Sequence, residues 1–259
     1  MTRLNDYDQP IGDAVSEWSP RPLPPHATIE GRFCRLEPIN AKRHGADLFA
    51  ANTTAPDGRA WTYLFTEPFT RCEEFCVYLE KIEASRDPLF FAVVDSKTER
   101  AVAYLALMRI DPAHGVIEVG NINYSPLMQR TPAATEAQYL LMKLAFDTLG
   151  YRRFEWKCDS LNAPSRYAAL RYGFTFEGIF RQAMVYKGRS RDTAWFSIID
   201  SEWLAIKAAM ETWLSPDNFE PDGSQCMSLV DIRQRLVSKV PAGLPTARQQ
   251  INVLKGPCI

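Results

Sequence analysis

The chain has 259 residues, of which 46% are hydrophobic, and this length and composition allow one large domain with appendages or two small domains. Its 30 Lys and Arg residues nearly balance its 31 Asp and Glu residues, which argues against a general electrostatic affinity for nucleic acid or acidic membranes. No apolar run is long enough to span a bilayer and residues 1–8 lack a secretory signal, so we expect a cytoplasmic protein with no membrane or nucleic-acid partner.

The six cysteines predict reduced, mostly buried thiols, because a chain of this size folds without disulfides. Cys72 and Cys76 are four residues apart, but none of the three histidines lies near them in the sequence. We therefore expect no metal site.

Three regions are predicted along the chain. Residues 1–27 are polar and rich in proline, which favours an extended N-terminal arm, and Trp18 predicts that part of this arm docks. Residues 28–214 form the main domain. Residues 215–259 form a C-terminal extension that is mostly loop, with one short helix over residues 229–240.

Residue periodicity predicts the elements of the main domain in chain order. The first half contains a strand at 33–38, helices at 41–51 and 71–84, and strands at 89–95, 101–110 and 115–124. The second half contains a long helix from 132 to a stop at Gly150, a strand at 152–158, a helix at 163–172, a hairpin of strands 174–186 and 192–200, and a helix from 201. This order predicts an α/β (α+β) fold with a mixed, mostly antiparallel central sheet flanked by helices.

The loop before the long helix carries the first chemical signal. Residues 123–137 join a strand to a helix that Thr131 can cap and that begins with Pro132. Free N–H groups at such a helix start favour an anion such as a pyrophosphate, and Arg130 adds a positive charge. The alternative is an ordinary, well-capped helix.

A second segment contains Asn162-Ala163-Pro164-Ser165-Arg166 and, eleven residues after Asn162, Gly173-Phe174. The two segments together resemble the GNAT superfamily of N-acetyltransferases, in particular its ribosomal-protein alanine acetyltransferase branch. The hairpin segments 177–183 and 189–195 also resemble this branch, and the similarity covers roughly residues 30–205.

The resemblance implies a GNAT fold and transfer of an acetyl group from acetyl-CoA to a primary amine, on a small molecule or a peptide N-terminus, by direct attack in a ternary complex. It implies no metal, and it leaves the oligomeric state open, a homodimer included. Residues that would surround the pyrophosphate are Gln129, Arg130, Thr131, Ala133, Ala134 and Thr135.

The resemblance also implies contacts with the pantetheine arm. The backbone of Ile122, Asn123 and Tyr124, splayed from the strand that begins at Arg152, would pair with the arm and polarise the thioester carbonyl. Asn162 would bond the arm, and Arg166 would lie close to the cofactor.

Two residues are candidates for proton transfer. Ser165 would approach the sulfur and protonate the leaving thiolate, with a helix cap as the alternative role. Glu118 is the candidate base, because an acid among apolar neighbours is costly to bury and its even-numbered register matches that of Ile122 and Tyr124. The alternative is that Glu118 pairs with a basic neighbour such as Arg109.

The chain departs from the family pattern at three positions. Pro132 replaces the first glycine of the loop, Ala169 replaces a tyrosine used as acid, and Met184 replaces the hairpin carboxylate of the ribosomal-protein branch. These substitutions favour an acceptor other than a ribosomal protein and motivate a second hypothesis, a catalytically silent GNAT-like CoA-binding or interaction module. The charged hairpin residues Arg189, Arg191 and Asp192 are interpreted as a solvated turn with a local ion pair.

Overall fold

The structure is a computed structural model that describes residues 3–237. Within these residues the strands β1 to β10 span Arg3–Leu4, Pro10–Ile11, Ile29–Glu30, Cys34–Pro38, Leu89–Asp95, Ala101–Asp111, Val116–Tyr124, Arg153–Asp159, Thr175–Tyr186 and Arg189–Ile199. The α-helices α1 to α6 span Ala41–Thr53, Cys72–Glu83, Pro132–Lys143, Ala163–Tyr172, Asp200–Leu214 and Leu229–Val237. Helix α3 continues into a π-helical turn over Leu144–Thr148.

Eight of the strands form one sheet in the order β3-β4-β5-β6-β7-β8-β10-β9. All neighbouring pairs in this sheet are antiparallel except β7 and β8, which run parallel. The predicted fold class, a mixed and mostly antiparallel sheet flanked by helices, is confirmed.

Helices cover both faces of the central strands, so these strands are continuously apolar. Along β5, Phe91 and Val93 face the larger core with α3 and α5, whereas Phe90 and Ala92 face a smaller core with α1 and α2. The smaller core covers β5 and β6, and the same face of the neighbouring strands carries polar residues such as Glu118, Glu155 and Ser197.

Both terminal regions contact the domain. In the N-terminal arm, the Trp18 indole donates a hydrogen bond to the carbonyl of Ala113 at 2.8 Å, and Arg21 stacks on its ring. In the C-terminal extension, Leu229 and Ile232 of α6 are buried in the larger core. The last residues of the predicted C-terminal helix, 238–240, lie outside the described residues.

Within residues 3–237 no helix has the length and apolar character needed to cross a membrane, and no group of His, Cys, Asp and Glu residues could hold a metal ion. The prediction that the cysteines are mostly buried is wrong. Cys34 and Cys158 are buried, but Cys72 and Cys76 are half-buried on α2 and Cys226 is exposed. Cys258 lies outside the described residues.

Candidate active site

A cleft opens where β7 and β8 separate. The two strands pair in parallel from Val116 and Arg153 as far as Val119 and Trp156. Both strands continue beyond this point, β7 alongside β6 and β8 alongside β10. The resulting cleft has a volume of about 1760 Å³ and is bordered by the starts of α3 and α4.

A β-bulge in β7 changes which side chains face the cleft. Asn123 of β7 pairs with Tyr104 of β6, and Gly120 pairs with Ala106. Three residue steps along β7 therefore lie opposite two steps along β6. Asn121 accommodates the extra residue with a φ of 50°. The prediction that Glu118 shares a face with Ile122 and Tyr124 is therefore wrong, because one inserted residue reverses the alternation.

The Glu118 carboxylate is buried and lies at the edge of the cleft beside two cations. Its Oε2 is 2.9 Å from Lys157 Nζ and 3.4 Å from Arg109 Nε. Burial raises the pKa of Glu118, and the attraction of Lys157 opposes that rise only in part. Sequence reasoning named Arg109 as the alternative partner and missed Lys157, which β8 brings beside β7 and which also pairs with Glu155 at 2.6 Å.

The end of β7 supplies a buried polar group. Asn123 lines the cleft with a side chain 3% exposed, and among the described residues its Oδ1 has no hydrogen-bond partner. The Tyr124 hydroxyl instead donates to the carbonyl of Ala134 at 3.3 Å and accepts from Gln138 at 2.9 Å, which fixes the strand end against α3. Ile122 also lines the cleft and packs on the larger core.

The start of α3 forms the second wall. The Thr131 side chain caps the helix by accepting from the amide of Ala134 at 3.3 Å, and Pro132 occupies the first turn. Gln129 and Arg130 line the cleft, and Gln129 Nε2 holds the carbonyl of Tyr124 at 2.8 Å.

Two of the predicted pyrophosphate residues are buried and already make other hydrogen bonds. Ala133 is buried against β4, where its carbonyl accepts from the Cys34 thiol, and it does not line the cleft. Thr135 is buried and borders the cleft, where its hydroxyl accepts a hydrogen bond from Arg171 at 3.0 Å.

Arg171 is a cleft residue that sequence reasoning missed. It lies near the C-terminal end of α4, reaches across to the start of α3, and stacks on Trp213 at 5.0 Å. Together with Arg130 it places two guanidinium groups at one helix N-terminus, an arrangement that favours a phosphate or pyrophosphate. Its place on the helix that follows Asn162 could have indicated a residue near the cleft. The direction of its side chain, however, depends on how α4 packs against α3.

The C-terminal extension contributes to the same end of the cleft. Phe219 and residues 223–225 border it, and the Trp213 indole donates to Gln225 at 2.8 Å. Phe219 packs edge-on against Trp213 at 5.2 Å. The extension therefore supports the stacking surface of Arg171.

At the start of α4, Ser165 is not the helix cap that was weighed as its alternative role. Asn162 is the residue that caps this helix, since its side chain accepts from the amide of Ser165 at 3.1 Å. Ser165 Oγ accepts a hydrogen bond from the Trp156 indole at 3.0 Å and borders the cleft. Because Oγ is the acceptor in this bond, its proton can be donated to a second partner, and the Cys158 side chain lies within hydrogen-bonding reach of it.

The proximity of Arg166 to the cofactor stays a prediction, whereas the interpretation of Arg191 as part of a solvated turn is wrong. Arg166 does not line the cleft, because its guanidinium turns back to donate to the carbonyl of Ser160 at 3.1 Å. Arg191 does not belong to a solvated turn, since it is 7% exposed and borders the cleft. The β9–β10 pairing extends past the end of β8 and brings Arg191 over this opening.

Comparison with known proteins identifies the family. The profile described as acetyltransferase (GNAT) domain matches residues 35–175. The crystal structure of a GCN5-related N-acetyltransferase from Brucella melitensis is 53% identical, with a TM-score of 0.83, and the match covers 85% of this chain and 99% of that one. The chain belongs to the GNAT acetyltransferase family.

Other GNAT structures are similar over shorter spans. A probable acetyltransferase from Chromobacterium violaceum ATCC 12472 is 42% identical over 75% of this chain and 97% of its own, with a TM-score of 0.69. The microcin C7 self-immunity acetyltransferase MccE, in complex with acetyl-CoA and AMP, shares the fold at 20% identity over 68% of this chain and 98% of its own, with a TM-score of 0.57. A search of curated proteins finds no match.

GNAT acetyltransferases use acetyl-CoA, and the cleft residues fit it. Arg130 and Arg171 offer charges for a pyrophosphate at the start of α3. The unpartnered Oδ1 of Asn123 offers a hydrogen-bond acceptor where the strands separate.

Proposed function

We propose that this GNAT protein transfers the acetyl group of acetyl-CoA to a primary amine by direct attack in a ternary complex. One observation carries the proposal: the parting of β7 and β8 places the Ser165 hydroxyl and a buried carboxylate along one cleft that begins at a capped helix. The cleft therefore combines an anion site with groups suited to proton transfer.

The cofactor-binding residues follow from the positions already described. Arg130, Arg171 and the first turn of α3 would hold the pyrophosphate. The backbone of Ile122 to Tyr124 would pair with the pantetheine arm, and the Asn162 side-chain NH₂ would contact it, since the oxygen of that amide is engaged in capping α4.

Ser165 and Glu118 divide the proton transfers. Glu118 accepts a proton from the incoming ammonium, directly or through water, and the amine lone pair then forms the new C–N bond at the thioester carbon. As the C–S bond breaks, the Ser165 hydroxyl protonates the thiolate and recovers a proton that the nitrogen gives up. The products are the amide, CoA–SH and one proton released to solvent.

The acceptor is a small-molecule amine or a specialised peptide terminus. Met184 lines the cleft at the position where the ribosomal-protein branch has a carboxylate, so this chain lacks that group for its acceptor. Membership of the ribosomal-protein branch stays a prediction.

Acetyl-CoA binding and turnover of the Ser165→Ala variant test the proposal. Acetyl-CoA at 100 times its dissociation constant is expected to stabilise the fold by about 2.7 kcal/mol, seen as a raised melting temperature. Ser165→Ala is expected to lower kcat roughly 10²- to 10⁴-fold with an unchanged dissociation constant for acetyl-CoA. Ser190→Ala, an exposed hairpin serine, is the matched control.

The outcomes separate the two hypotheses. Acetyl-CoA binding without acetylation of any amine in a broad panel would favour the silent CoA-binding module. Turnover that Ser165→Ala leaves unchanged would keep the acetyltransferase and remove Ser165 as its acid. No shift in melting temperature at millimolar acetyl-CoA would contradict the cofactor site itself.

A further inference from the structure

The part of the cleft that lies along the β9–β10 hairpin contains a buried cation without a counter-ion. Arg191 Nε donates to the Thr193 hydroxyl at 3.1 Å, and no carboxylate among residues 3–237 lies within salt-bridge distance of this guanidinium. Burying an unpaired charge is costly, and the cost falls when a bound anion pairs with it.

The acidic groups on the neighbouring strands β8 and β9 already have partners. Glu118, Lys157 and Glu155 form a chain of contacts at 2.9 and 2.6 Å, and Arg153 pairs with Glu177 at 2.5 Å. Asp159 accepts a hydrogen bond from the Tyr186 hydroxyl at 2.8 Å. Among the described hairpin residues, Arg191 is the buried cation that has no carboxylate partner and can bind an external anion.

Apolar side chains surround Arg191. Its guanidinium carbon is 5.9 Å from the Phe65 ring and 5.8 Å from the Tyr186 ring. Phe65, Phe180 and Met184 border the cleft and are 56%, 58% and 37% exposed, which is high for such side chains. A ligand with an apolar group beside its anionic group would cover them.

The two walls of this region are tied together before any ligand binds. Lys187 Nζ donates to the carbonyl of Trp61 at 2.9 Å, and Arg189 donates to the carbonyl of Thr62 at 2.8 Å. These bonds join the hairpin turn to the loop that carries Phe65, so the surface around Arg191 is preformed.

We propose that the acetyl acceptor is a small amine that also carries a carboxylate and an apolar side group, as free apolar and aromatic amino acids do. Arg191 binds the carboxylate, and Phe65, Phe180 and Met184 contact the side group. A single planar guanidinium matches the two oxygens of a carboxylate, whereas a phosphate dianion calls for more positive charge. This inference rests on the proposed acetyl transfer and specifies its acceptor.

The test compares acceptors that differ only in the carboxylate. Values of kcat/KM are measured with L-phenylalanine and L-phenylalaninamide for the wild type, Arg191→Gln and the control Arg181→Gln, an exposed arginine of the same hairpin. Arg191→Gln is expected to lower kcat/KM for phenylalanine by roughly 10- to 100-fold, as loss of a hydrogen-bonded charge predicts, and to change that for phenylalaninamide less than about twofold. Because each acceptor is compared between enzymes, the different basicity of the two amines cancels.

Three results would overturn the proposal. Equal losses for both acceptors in Arg191→Gln would show a structural role for Arg191. An unchanged kcat/KM for phenylalanine in Arg191→Gln would show that Arg191 does not recognise the carboxylate. Preferential turnover of phosphoethanolamine would assign the cation to a phosphate.

A binding measurement keeps this inference separate from the proposed function. If no amine is acetylated, acetyl transfer fails, but calorimetric binding of phenylalanine to the CoA-saturated protein still tests the subsite. Binding that is lost in Arg191→Gln and absent for phenylalaninamide supports the carboxylate site. Absence of binding to the wild type overturns it.

Discussion

The Glu118 carboxylate must be ionised to act as a base, and its surroundings set the pH at which this happens. Burial raises its pKa above the usual value near 4.5, so we expect the rate to fall as the pH drops through this raised value. Glu118→Gln is expected to lower kcat roughly 10²- to 10⁴-fold and to remove the acidic limb of the pH–rate profile.

Glu155→Gln is the matched control for this profile. Glu155 shares Lys157 with Glu118 at 2.6 Å but does not border the cleft. Its variant should keep the acidic limb, because the base is untouched. An acidic limb that persists in Glu118→Gln would assign the titration to another group.

Some residues have contacts that nearby sequence determines, and others have contacts that depend on distant parts of the chain. The cap of α3 by Thr131 and the left-handed stop of α4 at Gly173, where φ is 108°, follow from residues within one helical turn. The partner of Glu118 does not, because Lys157 is 39 positions away and reaches it only through the pairing of β7 with β8.

Helix α4 combines a structural cap and a proposed cofactor contact in one side chain. Asn162→Ala removes both, whereas Asn162→Ser keeps a capping oxygen and removes the amide NH₂. We expect both variants to weaken acetyl-CoA binding, but only Asn162→Ala to lower the free energy of unfolding, by about 1 kcal/mol. Denaturant unfolding and calorimetric titration measure the two effects separately.

The Asn162→Ser variant can also contradict the proposed cofactor contact. If Asn162→Ser binds acetyl-CoA as tightly as the wild type, Asn162 only caps α4 and the pantetheine arm contacts another residue.

The helices of the main domain were largely predictable from the sequence, since α1, α2, α3 and α4 begin within two residues of their expected starts. Hydrophobic spacing and caps act over a few residues and suffice for such boundaries.

At the scale of the whole molecule, the C-terminal extension contacts the end of α4, the helix that carries Arg171. Arg233 of α6 donates to the carbonyl of Leu170 at 2.8 Å and of Arg171 at 3.3 Å, at the end of α4. Arg233→Met is expected to release this helix end and to weaken acetyl-CoA binding about tenfold, equivalent to losing about 1.4 kcal/mol, because Arg171 loses its support.

Ile82→Val distinguishes this link from general destabilisation. Ile82 of α2 is buried in the smaller core, away from the cleft, and its truncation is expected to cost about 1 kcal/mol of stability. It should lower the melting temperature without changing the dissociation constant for acetyl-CoA. Unchanged acetyl-CoA binding in Arg233→Met would show that the extension only stabilises the fold.

Local patterns in the chain were enough to predict the fold class, the order of its elements, and the loop and helix starts that resemble a GNAT acetyltransferase. They were not enough for the direction of individual side chains. The bulge at Asn121 reverses the face of Glu118, Arg166 turns away while Arg171 enters the cleft, and Arg191 is buried rather than solvated. These outcomes depend on strand register and helix packing between residues far apart in the chain, which a local window of sequence does not encode.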